Sequence, residues 1–179
     1  MSDIVSSAPP LSSDPAEVTV RPAEARDVPA IVALITRVLA EFGLGFADGS
    51  TTDGQLVGPP EVYTSVGGAF WVASDGAGNL LGTCGVYPSA AGAFELRKMY
   101  VAPEGRGLGL GKRLFAEAVA FARAAGGNAL VLDTTEAMRQ AIAFYERQGF
   151  ARDDTQIRGA RCSRGYRLNL EAAVDEAGA

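Results

Sequence analysis

ELRKMYVAPEGRGLGLGKRLF, residues 95–115, changes from the alternating pattern of a β-strand to a glycine-rich turn and then to the period of a helix. Glycine stands at positions 105, 107, 109 and 111. Such a turn leaves the first N–H groups of the helix without intrahelical partners, and the helix dipole favours negative charge there. The segment therefore predicts a site for a phosphate-bearing molecule.

Two familiar phosphate-binding motifs do not fit this turn. The P-loop pattern GxxxxGK[ST] requires glycine at 106 and serine or threonine at 113, where the chain has Arg106 and Arg113. The dinucleotide pattern GxGxxG fails in both registers, because it requires glycine where Lys112 or Leu110 stands. The turn therefore belongs to neither class of nucleotide-binding protein.

The remainder of the chain alternates between strand-like and helical segments on both sides of the turn. The predicted strands are 18–23, 69–75, 80–88, 93–101 and 129–135, with two more between 150 and 170. The predicted helices run from Asp27 as N-cap to Gly43, over 109–125 and over 136–148, with one short helix near Pro60–Ser65 inside the long loop 43–68. This order predicts an α+β fold, an α/β/α sandwich around one mixed sheet.

Length and composition limit the classes of protein. The chain has 179 residues, a length typical of one domain, which we expect over 17–172 between a disordered tail (1–16) and a flexible C-terminus (173–179). The net charge of −5 argues against binding nucleic acid, which requires a surplus of lysine and arginine. The longest aliphatic run, 30–35, is too short to span a membrane, and no secretory signal is recognisable. We therefore expect a cytoplasmic protein with no membrane partner.

The absence of histidine restricts the chemistry. The two cysteines, Cys84 and Cys162, are not spaced as a metal-binding pair, so no metal site is predicted. Acid–base catalysis must then come from carboxylates, tyrosine, lysine, cysteine or water. Cys84 lies in a strand of small residues, and we expect it to be a buried packing residue rather than a nucleophile.

The spacing Arg106-x-x-Gly109-x-Gly111 between a strand and a helix resembles the acetyl-CoA signature of the GCN5-related N-acetyltransferases, the GNAT superfamily. ELRKMYV is similar to the fourth strand of that family and ALVLDTT (129–135) to its fifth. AIAFYERQGF (141–150) resembles its second motif, in which a helix carrying a tyrosine runs into a Gly-Phe turn. The resemblance covers residues 18–170 and implies a GNAT-like, mostly antiparallel sheet of six or seven strands flanked by about four helices.

The resemblance also implies a binding site for acetyl-CoA. In the family, the amides of the glycine turn bind the CoA pyrophosphate, and the pantetheine arm pairs with the fourth strand where it separates from the fifth. The residues carried over are Arg106, Gly107, Leu108, Gly109, Leu110, Gly111 and Lys112 in the turn, and Met99, Tyr100 and Val101 in the strand. Met138 stands where many members have an asparagine that contacts the cofactor, so this contact is not carried over.

Glu95 has two interpretations. It lies fourteen residues before Gly109, and a glutamate at this offset is the general base in the histone-acetyltransferase branch of the family. A base is useful because a lysine-like amine with a pKa of about 10.4 is neutral in only about one molecule in 2,500 at pH 7. The alternative is a strand carboxylate that pairs with Arg97 or another cation.

Tyr145 corresponds to the tyrosine that acts as candidate general acid for the CoA thiolate in the family, either donating a proton or orienting the thiolate. Its helical spacing is also that of a core tyrosine. The backbone amide of Met99 is the expected donor to the oxyanion, and direct attack of the amine in a ternary complex is the expected mechanism.

The acceptor site is expected between the loop 43–68 and the turn 159–165, where family members diverge. The loop carries Asp48, Asp53, Glu61 and Tyr63, and the turn carries or adjoins Arg158, Arg161 and Arg164. Acidic residues suit a cationic amine, whereas arginines suit a carboxylate-bearing substrate or the 3′-phosphate of CoA. Most of these charges are also explained as solvated surface, so the sequence leaves the acceptor open.

Two functions follow from the resemblance. The first is an acetyl-CoA-dependent N-acetyltransferase acting on a primary amine of a small molecule, a peptide or a protein. The second is a non-catalytic sensor or scaffold that binds acetyl-CoA. The presence of both Glu95 and Tyr145 favours the enzyme, because a binding protein needs neither. Since many members of this family dimerise, the resemblance also allows a homodimer.

Overall fold

The computed structural model describes residues 17–45 and 60–170. The predicted tails at 1–16 and 173–179 and residues 46–59 of the predicted long loop lie outside the described residues. The boundaries of a single domain at 17 and 172 accordingly stay a prediction.

Seven strands and four α-helices occur in the described part of the chain. The strands are β1 (Thr19–Pro22), β2 (Ala69–Ser74), β3 (Leu80–Pro88), β4 (Ala93–Val101), β5 (Ala129–Thr134), β6 (Ala151–Arg152) and β7 (Arg164–Asn169). The helices are α1 (Val28–Ala40), α2 (Glu61–Thr64), α3 (Leu110–Ala124) and α4 (Arg139–Arg147). Their order is the one predicted from the sequence, including the short helix in the long loop.

The strands form one sheet in the order β1-β2-β3-β4-β5-β7-β6. Every neighbouring pair is antiparallel except β4 and β5, which are parallel. This confirms the predicted mixed, mostly antiparallel sheet. The parallel pair is joined by α3, as a parallel connection requires.

Helices cover both faces of the sheet, because successive strand residues point to opposite sides. In β2, Phe70 and Val72 pack with the apolar face of α1, whereas Trp71 and Ala73 pack with α3 and α4. The buried residues of α1 are Ile31, Leu34, Ile35, Val38 and Leu39, all spaced for one helical face. The predicted α/β/α sandwich is therefore confirmed.

Helix α4 begins at Arg139, three residues later than the sequence predicts. The hydroxyl of Ser163 accepts a hydrogen bond from the N–H of Glu136 at 3.0 Å, and Met138 donates to the carbonyl of Thr135 at 3.0 Å. Met138 has φ −86° and ψ 56°, outside the helical region. Residues 136–138, which were predicted to begin the helix, therefore form a turn that is held by Ser163, the residue before β7.

Asp27 occupies the predicted N-cap position of α1, but its side chain accepts no hydrogen bond from the first turn of that helix. Its carboxylate accepts a hydrogen bond from the N–H of Glu24 at 2.8 Å and pairs with both terminal nitrogens of Arg21 at 2.7 and 2.8 Å. The hydrogen bond from Arg21 holds the pKa of Asp27 below its usual value. The residue therefore ties the end of β1 to the start of α1.

None of the helices in the described ranges combines the length and the apolar character needed to cross a bilayer.

Candidate active site

The sheet opens between β4 and β5. Their register pairs are only Ala93 with Ala129, Phe94 with Leu130, and Glu95 with Val131. Beyond Glu95, β4 continues to Val101, while β5 keeps its pairing with β7 as far as Thr134. The two strands thus separate in the middle of the sheet, and their facing backbone groups are available to an extended ligand.

One cleft of about 830 Å³ follows this opening from the glycine turn to the region around Glu95. The predicted strand residues Met99, Tyr100 and Val101 line it. Both candidate catalytic residues, Glu95 and Tyr145, also line it. The cleft therefore brings the predicted cofactor residues and the predicted acid–base residues into one continuous space.

The glycine turn presents a row of backbone donors to the cleft. Within residues 17–45 and 60–170, the N–H groups of residues 107–112 make no hydrogen bond of good geometry to a protein acceptor, and the first such bond of the helix runs from Arg113 to Gly109. Gly107 and Gly109 have φ of +80° and +74°, a conformation that side-chain-bearing residues rarely adopt. Backbone amides exposed in this way at a helix N-terminus are the arrangement that proteins commonly use to bind anions.

The side chains of the turn divide between the cleft and its surroundings. Of the predicted turn residues, those that line the cleft are Arg106, Gly107, Gly109, Leu110, Gly111 and Lys112. Leu108 instead exposes 56% of its surface to solvent, so only its backbone remains a candidate for ligand contact. The guanidinium of Arg106 binds Glu41 through two hydrogen bonds of 2.8 and 2.9 Å, which fixes the turn to the end of α1.

A β-bulge interrupts β4 at the point where the cleft widens. Thr83 pairs with Tyr100 and Gly85 with Arg97, so two residues of β4 face one residue of β3. Lys98, one of the two, has φ +52°, and its carbonyl accepts a hydrogen bond from the hydroxyl of Thr83 at 2.7 Å. The bulge removes the local backbone from the regular ladder beside Met99.

Glu95 is buried and ion-paired. Its carboxylate accepts a hydrogen bond from Arg97 at 2.6 Å and lies 3.7 Å from Nη1 of Arg158. The guanidinium of Arg97 also stacks over the ring of Tyr87, 4.1 Å from its centroid. The alternative interpretation of Glu95 as a partner of Arg97 is therefore confirmed as a contact, and its catalytic role stays a prediction.

Tyr145 projects from α4 on the opposite side of the sheet from α1. Its ring packs edge-on against Phe144 and Phe150, with centroids 5.7 Å apart in both cases. Burial raises the pKa of the phenol above its usual value, so the hydroxyl stays protonated at neutral pH. Its position in the cleft wall is compatible with contact to a sulfur atom.

The turn between β6 and β7 closes the cleft beside Glu95. Asp133, at the end of β5, accepts hydrogen bonds from the N–H groups of Arg158 and Gly159, both at 2.7 Å. Burial and the neighbouring Asp133 raise the pKa of Cys162 to about 12, so its thiol is protonated at neutral pH. The turn is thus fixed at its backbone, with Arg158, Gly159, Arg161 and Cys162 lining the cleft.

Only part of the predicted acceptor site comes together. Asp48 and Asp53 lie outside the described residues. Glu61 is exposed and Tyr63 is fully buried against Phe70 and Tyr87, and neither lines the cleft. Arg164 binds Glu136 away from the cleft, with Nε and Nη2 at 3.0 and 2.9 Å from the carboxylate.

Several lining residues were not predicted from the sequence. Val38, Phe42 and Leu44, from α1 and the residues after it, line the cleft, and so do Phe144 and Arg147 of α4. The apolar pair around Gly43 was a usable signal, because large apolar residues directly after a helix end need a surface to cover. Arg147 carried no such signal, since a basic residue in a last helical turn is common.

Comparison with known proteins identifies the family of this chain. A sequence model of the acetyltransferase (GNAT) family matches residues 48–150. The chain belongs to the GNAT family. A relative described as an uncharacterized N-acetyltransferase, YjgM of Escherichia coli strain K12, is 38% identical over 132 residues, which span 72% of this chain and 79% of that protein.

Solved GNAT structures share the fold. A GNAT-family acetyltransferase from Staphylococcus aureus Mu50 superposes with a TM-score of 0.79 at 21% identity, covering 87% of this chain and all (100%) of that one. The GNAT phosphinothricin acetyltransferase of Sinorhizobium meliloti, solved in complex with acetyl-CoA, gives a TM-score of 0.67 at 22% identity, covering 86% and 88% of the two chains.

Proposed function

We propose that this protein transfers the acetyl group of acetyl-CoA to a primary amine by direct attack in a ternary complex. Membership of the GNAT family supports the reaction class. The observation that carries the proposal is the row of free amides at residues 107–112, which opens into the same cleft as Glu95 and Tyr145. A site with donors for an anion at one end and acid–base groups further along fits a phosphate-bearing acyl donor.

The donor end of the cleft fits acetyl-CoA in two respects. The amides of residues 107–112 would bind the pyrophosphate, with Lys112 adding a positive charge at the mouth. The edge of β4 that faces the opening, at Met99, Tyr100 and Val101, would pair with the amide groups of the pantetheine arm. The Sinorhizobium relative, which is solved with acetyl-CoA, supports this assignment by analogy of fold.

Glu95 would accept the proton of the acceptor ammonium, directly or through water, because among the described residues that line the cleft it is the buried carboxylate. General base catalysis by a positioned carboxylate contributes about 10²- to 10⁴-fold to a rate. The backbone N–H of Met99, at the bulge, would stabilise the negative charge that develops on the thioester oxygen.

Tyr145 would donate a hydrogen bond or a proton to the sulfur of the departing CoA. The raised pKa of this buried phenol keeps the proton in place at neutral pH. Direct transfer is favoured over an acyl-cysteine route because both cysteine thiols stay protonated at neutral pH. Burial raises the pKa of Cys84, and the thiol of Cys162 has a pKa of about 12, so both are poor nucleophiles.

Release of free thiol from acetyl-CoA tests this proposal. The purified chain is incubated with acetyl-CoA and a panel of amines, amino acids and peptides, and acetyl-CoA binding is measured separately by calorimetry. We expect binding and amine-dependent thiol release. Binding without release across a broad panel would support the sensor instead, and absence of binding would contradict both functions.

A further inference from the structure

Among residues 17–45 and 60–170, the side chains at the end of the cleft beside Glu95 carry more positive than negative charge, although the chain as a whole has a net charge of −5. Arg97, Arg158 and Arg161 line it, against Glu95 and Asp133. Both carboxylates already have partners. Glu95 pairs with two of the arginines, and Asp133 accepts two backbone N–H groups. This local excess of cations is the opposite of what a cationic acceptor such as a polyamine requires.

In this group, Arg158 has guanidinium N–H groups that bind no acceptor among the described residues. Its Nη1 lies 3.1 Å from the hydroxyl of Ser89 and 3.7 Å from Glu95, a distance too long for a hydrogen bond. In residues 17–45 and 60–170, its Nε and Nη2 donate to no acceptor. The side chain is 49% exposed within the cleft wall, while Asp133 holds its backbone in place.

We infer that Arg158 binds a carboxylate of the acceptor, and that the acceptor is therefore a small amino acid-like molecule. This inference rests on the proposed acetyl transfer. The groups that would receive the amine and the carboxylate, Glu95 and Arg158, have their nearest atoms 3.7 Å apart. Amine and carboxylate must then be close within one molecule, on the same carbon or on neighbouring carbons. A free fork of guanidinium donors suits a carboxylate better than any neutral group.

The phosphates of CoA do not compete for this arginine. Glu95 lies six residues before Val101 at the end of β4, which places the glycine turn about 20 Å away along the strand.

Matched pairs of amino acids and their α-carboxamides test the inference. Thiol release by the full chain is measured for the twenty common amino acids and for the amide of each accepted one. We expect the acid to exceed its amide in kcat/KM by about 30-fold, the usual effect of one charge-assisted pair. Arg158→Gln should remove this preference, mainly by raising the KM of the acid, and Arg158→Lys should retain part of it.

Arg164→Gln is the matched control, since Arg164 directly follows the same turn, at the start of β7, but binds Glu136 outside the cleft. It should keep the preference of the native chain, and the KM for acetyl-CoA should be unchanged in all variants. Equal turnover of acids and amides would overturn the inference while leaving acetyl transfer intact. Full preference in a folded Arg158→Gln variant would overturn the role of Arg158. If no amine of any kind caused thiol release, the proposed function itself would be contradicted.

Discussion

At the glycine turn the groups that face the cleft are backbone amides of six consecutive residues, 107–112, whereas beside Glu95 they are side chains from separate segments. The turn is fixed by local geometry, namely two glycines with positive φ and the start of a helix. The acceptor end depends on contacts between β4, β5 and the turn after β6. We therefore expect anion binding at the glycine turn to tolerate substitutions elsewhere in the chain. At the acceptor end, where the site is built from distant segments, we expect a single substitution to change the specificity for the acceptor.

The largest effect is expected at the acceptor end. Glu95→Gln removes the candidate base but keeps its size, and we expect kcat to fall by about 10²- to 10³-fold at pH 7. The KM for acetyl-CoA should not change, because the amides of the glycine turn are untouched. Raising the pH should recover part of the loss, since the amine then loses its proton to solvent. Steady-state kinetics from pH 6 to pH 10 measures both.

Glu136→Gln provides the control for Glu95, because Glu136 also pairs with an arginine but does not line the cleft. Its kcat should stay near that of the native chain. A loss in Glu95→Gln that is the same at every pH would show that Glu95 acts only by holding Arg97.

The next effect concerns the donor end. Gly109→Val forces a β-branched residue into φ +74°, and the turn must distort to relieve the strain. We expect the Kd for acetyl-CoA to rise about 100-fold, as for the loss of one or two charge-assisted hydrogen bonds. Titration calorimetry with acetyl-CoA measures this change.

Gly78→Val is the matched control, since Gly78 has φ +88° in the hairpin turn between β2 and β3, with open space around it. Both variants should lose a similar free energy of unfolding, about 1–2 kcal/mol. If Gly78→Val weakened acetyl-CoA binding as much as Gly109→Val, the effect would be general destabilisation and not damage to the amide row.

Tyr145→Phe acts where the two ends meet. We expect kcat to fall by about 10- to 30-fold with little change in acetyl-CoA affinity, since one hydrogen bond to the departing sulfur is lost. Because burial raises the pKa of Tyr145, the native enzyme should show no loss of activity from this group below about pH 10. A downturn at pH 8 that disappears in Tyr145→Phe would contradict this.

Tyr166→Phe controls for the loss of a buried hydroxyl. Tyr166 is fully buried in β7, donates a hydrogen bond to Glu146 at 3.2 Å and does not line the cleft. It should lower the free energy of unfolding by about 1 kcal/mol and leave kcat unchanged. Equal kcat values in the two variants would remove Tyr145 from the reaction.

The smallest effect is expected from Asp133, a positioning residue. Asp133→Ala leaves the N–H groups of Arg158 and Gly159 without their acceptor, which loosens the turn that presents Arg158. We expect the KM of the acceptor to rise about 10-fold while kcat changes less than twofold. Asp133→Asn keeps an acceptor oxygen and should restore most of the affinity. Failure of this rescue would assign Asp133 a direct contact with the acceptor.

The sequence is informative about the donor end because the signals there are local. The period of residues in α1 and α3, the glycine spacing and the alternation in β4 each follow from neighbours along the chain. For the same reason the order of the elements along the chain could be predicted, although the order of the strands within the sheet was not. Met99 to Val101 and Arg106 to Lys112 were assigned to the cofactor site through the resemblance to the GNAT family. The start of α4 could not be predicted, because the turn before this helix is held by the hydroxyl of Ser163, which is distant in sequence.

The acceptor end shows the opposite. Nothing in the residues around Arg158 reveals that its backbone is held by Asp133 or that its side chain approaches Glu95. The charged residues named from the sequence separate into Arg158 and Arg161 in the cleft and Arg164 outside it. Such sorting depends on tertiary contacts, which periodicity and composition do not encode.

The opening between β4 and β5 has a mechanical consequence. The two halves of the sheet, β1–β4 and β5–β7, share only three register pairs, and Glu95 with Val131 is the last of them. Any relative rotation of the halves turns about this junction, so displacements grow with distance from it and are smallest at Glu95. The wide end of the opening can adjust to the length of a ligand, while the carboxylate at its vertex keeps its place.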